Sequence, residues 1–161
     1  MTTIAFAAEA AIVARMDIRE TMQALERLGT EQTKKTWLRH GATGELFGVK
    51  LGDMKGLLKK VKGRQDLALE LYATGNLDAM YFAGLVADGA LMSKQQLTAW
   101  VKAARWNTLS EYTVPWVTVE SPFARELALT WIDAKQEPIA AAGWSTWGGI
   151  EIGRASCRER V

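Results

Sequence analysis

The chain has little of several features that would point to other fold classes or locations. One cysteine among 161 residues, Cys157, leaves no internal partner for a disulfide, and this favours a cytoplasmic protein. Only three prolines occur and few stretches alternate β-branched residues with period two, which argues against a β-rich fold. No apolar run approaches the roughly 18 to 20 residues of a membrane helix. The apolar stretch Ile4–Val13 has no preceding Lys or Arg, unlike a secretory signal.

The common sequence signatures of metal, nucleotide and hydrolase sites are also missing. The chain has no HExxH, no CxxC, no P-loop and no GxSxG motif, so we expect neither a metal nor a cofactor. The single histidine, His40, stands before Gly41, where it is better explained as a helix C-terminal cap than as a base or a ligand. Hydrophobic residues at 48% and charged residues at 24% are typical of one globular domain.

The two ends differ in character from the middle of the sequence. Residues 151–161 look like a translated sequencing adapter, so we expect a non-native tail there and a natural sequence that stops near Ile150. Met16 begins a clean helical pattern and is a candidate start, which leaves residues 1–15 as an N-terminal extension of uncertain status or an Ala-rich first helix. The predicted domain is therefore residues 16–150.

Glycine, proline and capping residues divide that domain into short amphipathic helices. Apolar residues recur at helical spacing, and the signals at the ends include a capping box at Ser93 and the pair Ser121-Pro122. Pro115 predicts a kink or an early stop in its helix. The predicted helices are Asp17–Leu28, Glu31–His40, one ending at about Lys62, Asp66–Thr74, Leu77–Ala87, Lys94–Ala104, about Asn107–Val119, Pro122–Ala134, and one that begins at Pro138.

Short sequence echoes indicate a repeat. Leu67-Ala68-Leu69 recurs as Leu127-Ala128-Leu129, and Ala83-Gly84 recurs as Ala142-Gly143. Four predicted helices occupy that interval, so the unit is a helix pair of about 30 residues whose apolar stripe is buried by stacking on the next pair. The predicted fold is an all-α solenoid of antiparallel helix pairs.

Net charge is only +2, but the positive charge is unevenly distributed. Between residues 34 and 64 only Glu45 and Asp53 oppose nine basic residues. These are Lys34, Lys35, Arg39, Lys50, Lys55, Lys59, Lys60, Lys62 and Arg64. Lys55, Lys59 and Lys62 are spaced to share one helix face opposite Leu57, Leu58 and Val61. This segment is either a solvated helix face or a surface for phosphates.

Seven tryptophans are the other conspicuous feature. Trp100 and Trp131 are best explained as core residues. Trp106 lies at a helix junction beside Arg105, where an indole face could meet a cationic ligand.

Three segments resemble the DNA alkylation repair family. Residues 47–55, read as FGVKLGDMK, are similar to a recurring element of that family, as are residues 100–116, which end in WNTLSEYTVPW, and the AAAGW of residues 140–144. The resemblance covers about residues 16–150. It implies a superhelix of HEAT-like repeats. In the AlkD type it implies a DNA glycosylase that removes N3- and N7-alkylated purines.

The resemblance places candidate catalytic residues at Trp106, Ser110 and Glu111. Trp106 matches a tryptophan that would stabilise a cationic base, and the carboxylate one turn later would fall at Ser110, or at Glu111 if the helix shifts by one. At the position in the next repeat where the family has an arginine, this sequence has Ala141. A further aromatic residue of the family pattern would lie beyond Ile150. The chain therefore resembles a divergent, truncated member.

Two interpretations stay open. The first is a monomeric repair protein that binds duplex DNA through its phosphates and is a glycosylase at full length. Its expected DNA contacts are Lys50, Lys55, Lys59, Lys62 and Arg105. The second is a non-catalytic HEAT-like scaffold for DNA or protein. An exposed Trp106 on the concave face would favour repair, whereas a Trp106 buried between helices, with the lysines on the convex side, would favour the scaffold.

Overall fold

The computed structural model describes residues 16–153, and the fold is helical throughout that part of the chain. Its α-helices are α1 Ile18–Leu28, α2 Glu31–Arg39, α3 Met54–Val61, α4 Gln65–Ala73, α5 Leu77–Val86, α6 Lys94–Ala103, α7 Val114–Val119, α8 Ala124–Ile132 and α9 Glu137–Ile152. One isolated bridge, between Gly29 and Val49, is the only β-type pairing among these residues. The prediction of an all-α fold with at least eight helices is confirmed.

The capping residues act as the sequence indicates. The side chains of Asp17 and Ser93 each form a capping box, at α1 and α6, and Asn76 accepts hydrogen bonds from two amides at the start of α5. His40 is the C-cap of α2, in agreement with its predicted role.

The predicted start of one helix is wrong, and another helix ends one residue before its predicted end at about Lys62. Helix α8 begins at Ala124 rather than at Pro122, because the Ser121 hydroxyl accepts a hydrogen bond from the Phe123 amide and holds a turn there. Helix α3 ends at Val61, so Lys62 lies just beyond its last turn.

Pro115 does not bring its helix to an early stop. The helix begins with a π-helical segment, Thr108–Thr113, and continues as α7. The Val114 N–H donates a hydrogen bond to the Leu109 carbonyl, five residues earlier. Pro115 follows as an early residue of α7. Since proline has no N–H to donate, a wider turn just before it changes the hydrogen-bond register without breaking the helix.

Three helix pairs stack with the predicted period. Helices α4, α6 and α8 begin at residues 65, 94 and 124, which are 29 and 30 residues apart, and each is followed by its partner, α5, π–α7 or α9. The short connections after α4 and α8 and the close packing of α4 on α5 and α8 on α9 make these pairs antiparallel.

The pairs form two layers around one core. Helices α3, α5, π–α7 and α9 contact one another in sequence and form one layer. The other layer contains α1, α4, α6 and α8: α1 packs on α4, Tyr72 of α4 stacks on Trp100 of α6, and Lys94 of α6 pairs with Glu126 of α8. Every residue of α5 is buried, so this helix is the centre of the core. Trp100 and Trp131 are buried as predicted.

The predicted extension at residues 1–15 and residues 154–161 of the predicted tail lie outside the described residues. Of the tail's first residues, Glu151 and Ile152 continue α9. Glu151 pairs with Arg125 at 3.6 Å, and Ile152 stays 65% exposed. No helix within residues 16–153 is long and apolar enough to span a membrane.

Candidate nucleic-acid interface

Helix α3 presents a row of lysines on the surface. Lys55 and Lys59 are exposed, and Lys50 and Lys62 are exposed just before and just after the helical segment. We call these four residues the lysine surface. Met54, Leu57 and Val61 anchor the opposite side of α3 in the core.

The four cations of the lysine surface are uncompensated. Within residues 16–153, none of them has a carboxylate oxygen within 4.0 Å. Arg64 differs, because its guanidinium donates to both carboxylate oxygens of Asp66 at 2.9 and 2.7 Å. That hydrogen bonding lowers the pKa of Asp66 to about 2, so the pair stays ionised and the Arg64 charge is neutralised locally. Arg64 therefore adds little to the basic character of this region.

The loop that leads into the lysine surface is held by a buried carboxylate. The amides of Phe47, Gly48 and Val49 donate to the Asp78 carboxylate at 2.6, 2.9 and 3.1 Å. Asp78 is 3% exposed and belongs to the first turn of α5. Burial raises the pKa of the Asp78 carboxyl, against the lowering effect of the three amides and of Lys34.

This clamp explains the Phe-Gly-Val part of the recognised motif. Gly48 has φ of 81°, and a Cβ atom there would lie 2.5 Å from the Lys34 amide nitrogen, so only glycine fits. Lys50, two residues after Gly48, is the first member of the lysine surface. Sequence reasoning missed Asp78 because its partners are about 30 residues away and one aspartate at a helix start is ordinarily a dipole partner.

Trp106 lies inside the protein. It is 3% exposed, its indole N–H donates to the His40 carbonyl at 3.3 Å, and its ring lies 5.8 Å from that of Trp37. Trp37 in turn donates to the Val49 carbonyl at 3.2 Å. These contacts fasten the end of α2 to the junction before the π segment. Burial of Trp106 is one of the two conditions that favour the scaffold interpretation.

The other predicted catalytic residues do not converge with Trp106 on an open site. Ser110 is 1% exposed, and its hydroxyl donates to the Asn107 carbonyl at 3.4 Å. Glu111 is half-exposed on the π segment. Ala141, where an arginine is expected, is half-buried in α9. The catalytic roles of Trp106, Ser110 and Glu111 stay predictions.

An exposed aromatic group near Glu111 is a feature that sequence analysis passed over. Tyr112 is 52% exposed, and its ring meets that of Trp116 at 6.2 Å in an edge-on arrangement. Trp116 meets the buried Tyr81 of α5 in the same way at 5.7 Å. The spacing of four residues between Tyr112 and Trp116 is the signal that could have found this pair.

Arg105, the remaining predicted DNA contact, lines a cavity of about 540 Å³ together with residues of α4, α5 and α6. The stacked rings of Tyr72 and Trp100, 3.9 Å apart, form part of its wall, and Thr43 and Gly44 also line it. No group of three or more His, Cys, Asp or Glu side chains within residues 16–153 could hold a metal ion.

Comparison with known proteins identifies the family. A family model described as DNA alkylation repair enzyme matches residues 21–148. This chain belongs to the DNA alkylation repair family. Its match includes the clamped loop, the lysine surface and the helix junction at Trp106.

A solved structure is similar to the chain in sequence and in fold. It is described as "a new family of proteins related to the HEAT-like repeat DNA glycosylases with affinity for branched DNA structures". It shares 45% identity with a TM-score of 0.79 over 84% of this chain and 57% of that one. Together with the helix pairs described above, this similarity confirms the predicted HEAT-like solenoid.

Two curated proteins of similar sequence come from Listeria. The uncharacterized proteins of Listeria innocua and Listeria monocytogenes are each 26% identical over 129 residues, which is 76% of this chain and 57% of theirs. The chain thus spans a little over half the length of the relatives that it matches.

Proposed function

We propose that this member of the DNA alkylation repair family is a DNA-binding helical module that holds DNA by its phosphates and prefers branched DNA. The observation that carries the proposal is the lysine surface, whose four uncompensated cations flank or belong to a helix anchored in the core. The similar structure described as having affinity for branched DNA supports the preference for branches.

Contacts to phosphates fit these side chains better than contacts to bases. Lysine is a flexible point charge without the planar fork that reads guanine, and phosphate contacts position a protein on DNA without reading sequence. The clamp at Asp78 fixes the backbone before Lys50, and the buried residues of α3 fix the backbone of Lys55 and Lys59. Because these backbone positions are already ordered, less entropy is lost when the lysines bind a regular row of phosphates.

Base excision is the second candidate, favoured by family membership and by the half-exposed Glu111. A carboxylate near the glycosidic bond could stabilise positive charge on the sugar and orient water. The buried Trp106 and Ser110 support binding without excision for the described part of the chain.

Titration with DNA tests the binding proposal. Wild-type protein is titrated with a linear duplex and with a four-way junction built from the same arm sequences, at several salt concentrations. We expect log affinity to fall with log salt by about 0.9 per neutralised phosphate, and the junction to bind more tightly than the duplex. Affinity that does not depend on salt would overturn the phosphate mode, and equal affinity for both DNAs would overturn the branch preference.

Release of bases from methylated DNA tests the second candidate. Wild-type protein and a Glu111→Gln variant are incubated with the same methylated duplex, and free alkylated purines are measured. We expect no release above the rate without protein. Release by wild type that is abolished in Glu111→Gln would make the protein a glycosylase with Glu111 in a catalytic role.

A further inference from the structure

A second basic surface lies along α6, on the layer opposite the lysine surface. A hollow of about 520 Å³ beside Lys94, Thr98, Ala99 and Lys102 adjoins the cavity of about 540 Å³ at Arg105, and Ala99 lines both. We call the surface formed by Thr98, Ala99, Lys102, Ala103 and Arg105 the α6 groove.

The charges of the α6 groove are available to a ligand. Lys102 and Arg105 are exposed, and within residues 16–153 neither has a carboxylate oxygen within 4.0 Å. Lys94, at the far end of the hollow, differs because it is paired with Glu126. These two uncompensated cations, three residues apart in the sequence, attract an anion to this side of the protein.

Small side chains line part of the cavity that adjoins the α6 groove. Ala99 and Ala103 of α6 and Ala73 and Gly75 on the α4 side line this cavity, beside the larger rings of Tyr72 and Trp100. All four small residues are exposed, whereas both rings are buried, so a backbone can approach the surface closely at these positions. The shape and the charge together suit the sugar-phosphate backbone of a nucleic acid.

One loop joins this groove to the lysine surface. Thr43 and Gly44 line the cavity at Arg105, and the same loop runs through the Asp78 clamp to Lys50. The basic side chains of the two layers are therefore linked by a segment that is hydrogen-bonded in place, at the edge where α2 and the α6–π junction meet.

We propose that the α6 groove holds the phosphates of a second duplex arm when the lysine surface holds the first. This inference rests on the proposed function and explains the branch preference physically. A linear duplex must bend to follow both layers of a small protein, and bending a site of about 20 to 30 base pairs by 40 to 90° costs roughly 1 to 6 kcal/mol. Two arms that diverge from a branch point can each lie on one layer.

A double variant tests the proposal. Lys102→Gln with Arg105→Gln removes both cations of the α6 groove, and Arg19→Gln with Arg27→Gln removes the same charge from exposed positions on α1. Each protein is titrated with the four-way junction and the linear duplex described above. Circular dichroism and thermal unfolding verify that the exposed substitutions leave the fold intact.

We expect the α6-groove variant to lose about tenfold in affinity for the junction and less than about twofold for the duplex. Its salt slope on the junction should flatten by about 1.8, because two phosphates are no longer neutralised by the protein. The α1 variant should match wild type on both DNAs. Equal weakening on both DNAs, or unchanged affinity for both, would overturn the second-arm proposal while the proposed function stands. Wild type that binds neither DNA would instead remove the proposed function itself.

Discussion

At the residue scale, Asp78 holds the backbone of the loop before the lysine surface. Its carboxylate is the common acceptor for three consecutive amides. In Asp78→Asn the side-chain NH2 group would face at least one of these backbone N–H donors, which would then lack an acceptor. We expect a decrease of about 2 to 3 kcal/mol in the free energy of unfolding, measured by urea denaturation. Asp53→Asn, an exposed carboxylate nearby, is the control and should change stability by less than about 0.5 kcal/mol. Equal midpoints for the two variants would show that the clamp contributes nothing.

Trp106 is the second residue whose role the environment decides. Because the indole is buried and donates to the His40 carbonyl, Trp106→Phe should lower the free energy of unfolding by about 1 to 3 kcal/mol. The DNA affinity of the folded variant should stay within about twofold of wild type. Trp144→Phe, at a tryptophan that is 63% exposed, should leave both quantities unchanged. If the Trp106→Phe protein had normal stability but no longer bound DNA, the indole would have to contact the ligand.

At the element scale, the contact between α5 and the π segment depends on a glycine. A Cβ atom at Gly84 would lie 2.3 Å from the Thr113 methyl group, so Gly84→Ala forces these helices apart. We expect a decrease of about 1 to 3 kcal/mol in the free energy of unfolding. Gly56→Ala in α3 is a matched control, since a Cβ atom there meets nothing within 4 Å. The control should stabilise the protein by about 0.4 to 1 kcal/mol, because alanine costs less backbone entropy in a helix. Thermal and urea unfolding measure both changes, and a stabilising Gly84→Ala would contradict the packing.

At the scale of the whole molecule, the position of charge should matter more than its sum. A Lys55→Ala, Lys59→Ala, Lys62→Ala triple variant takes the net charge from +2 to −1, as does an Arg19→Ala, Arg27→Ala, Lys135→Ala triple variant. We expect only the first to weaken DNA binding, uniformly across sequences, and to flatten the salt slope by about 0.9 for each phosphate that the variant no longer neutralises. Titration with linear duplex at several salt concentrations measures this. Equal weakening in both variants would show that net charge rather than the lysine surface attracts DNA.

Much of the helical architecture follows from the sequence because its causes are local. Caps such as Asp17, Asn76 and Ser93 act within three residues of their own position, and apolar spacing marks which side of each helix is buried. The 30-residue repeat was visible for the same reason. However, the two glycines that recur in this repeat, Gly84 and Gly143, do not make equivalent contacts. Gly84 faces Thr113 of the next pair, whereas Gly143 faces the Trp131–Ile132 backbone of its own.

The candidate site depends on contacts between residues that are far apart in sequence, and only the tertiary structure decided them. Trp106 was predicted at a helix junction, with an exposed and a buried position both left open. The structure buries it, and the carbonyl of His40, the C-cap of α2, accepts its hydrogen bond from 66 residues away. Asp78 meets its three amides across about 30 residues, and the cavity that adjoins the α6 groove is lined by the 43–44 loop, α4, α5 and α6. Local pattern sets which face of a helix is apolar. Which neighbour covers that face, and which cations are left without a partner, follows from how the layers stack.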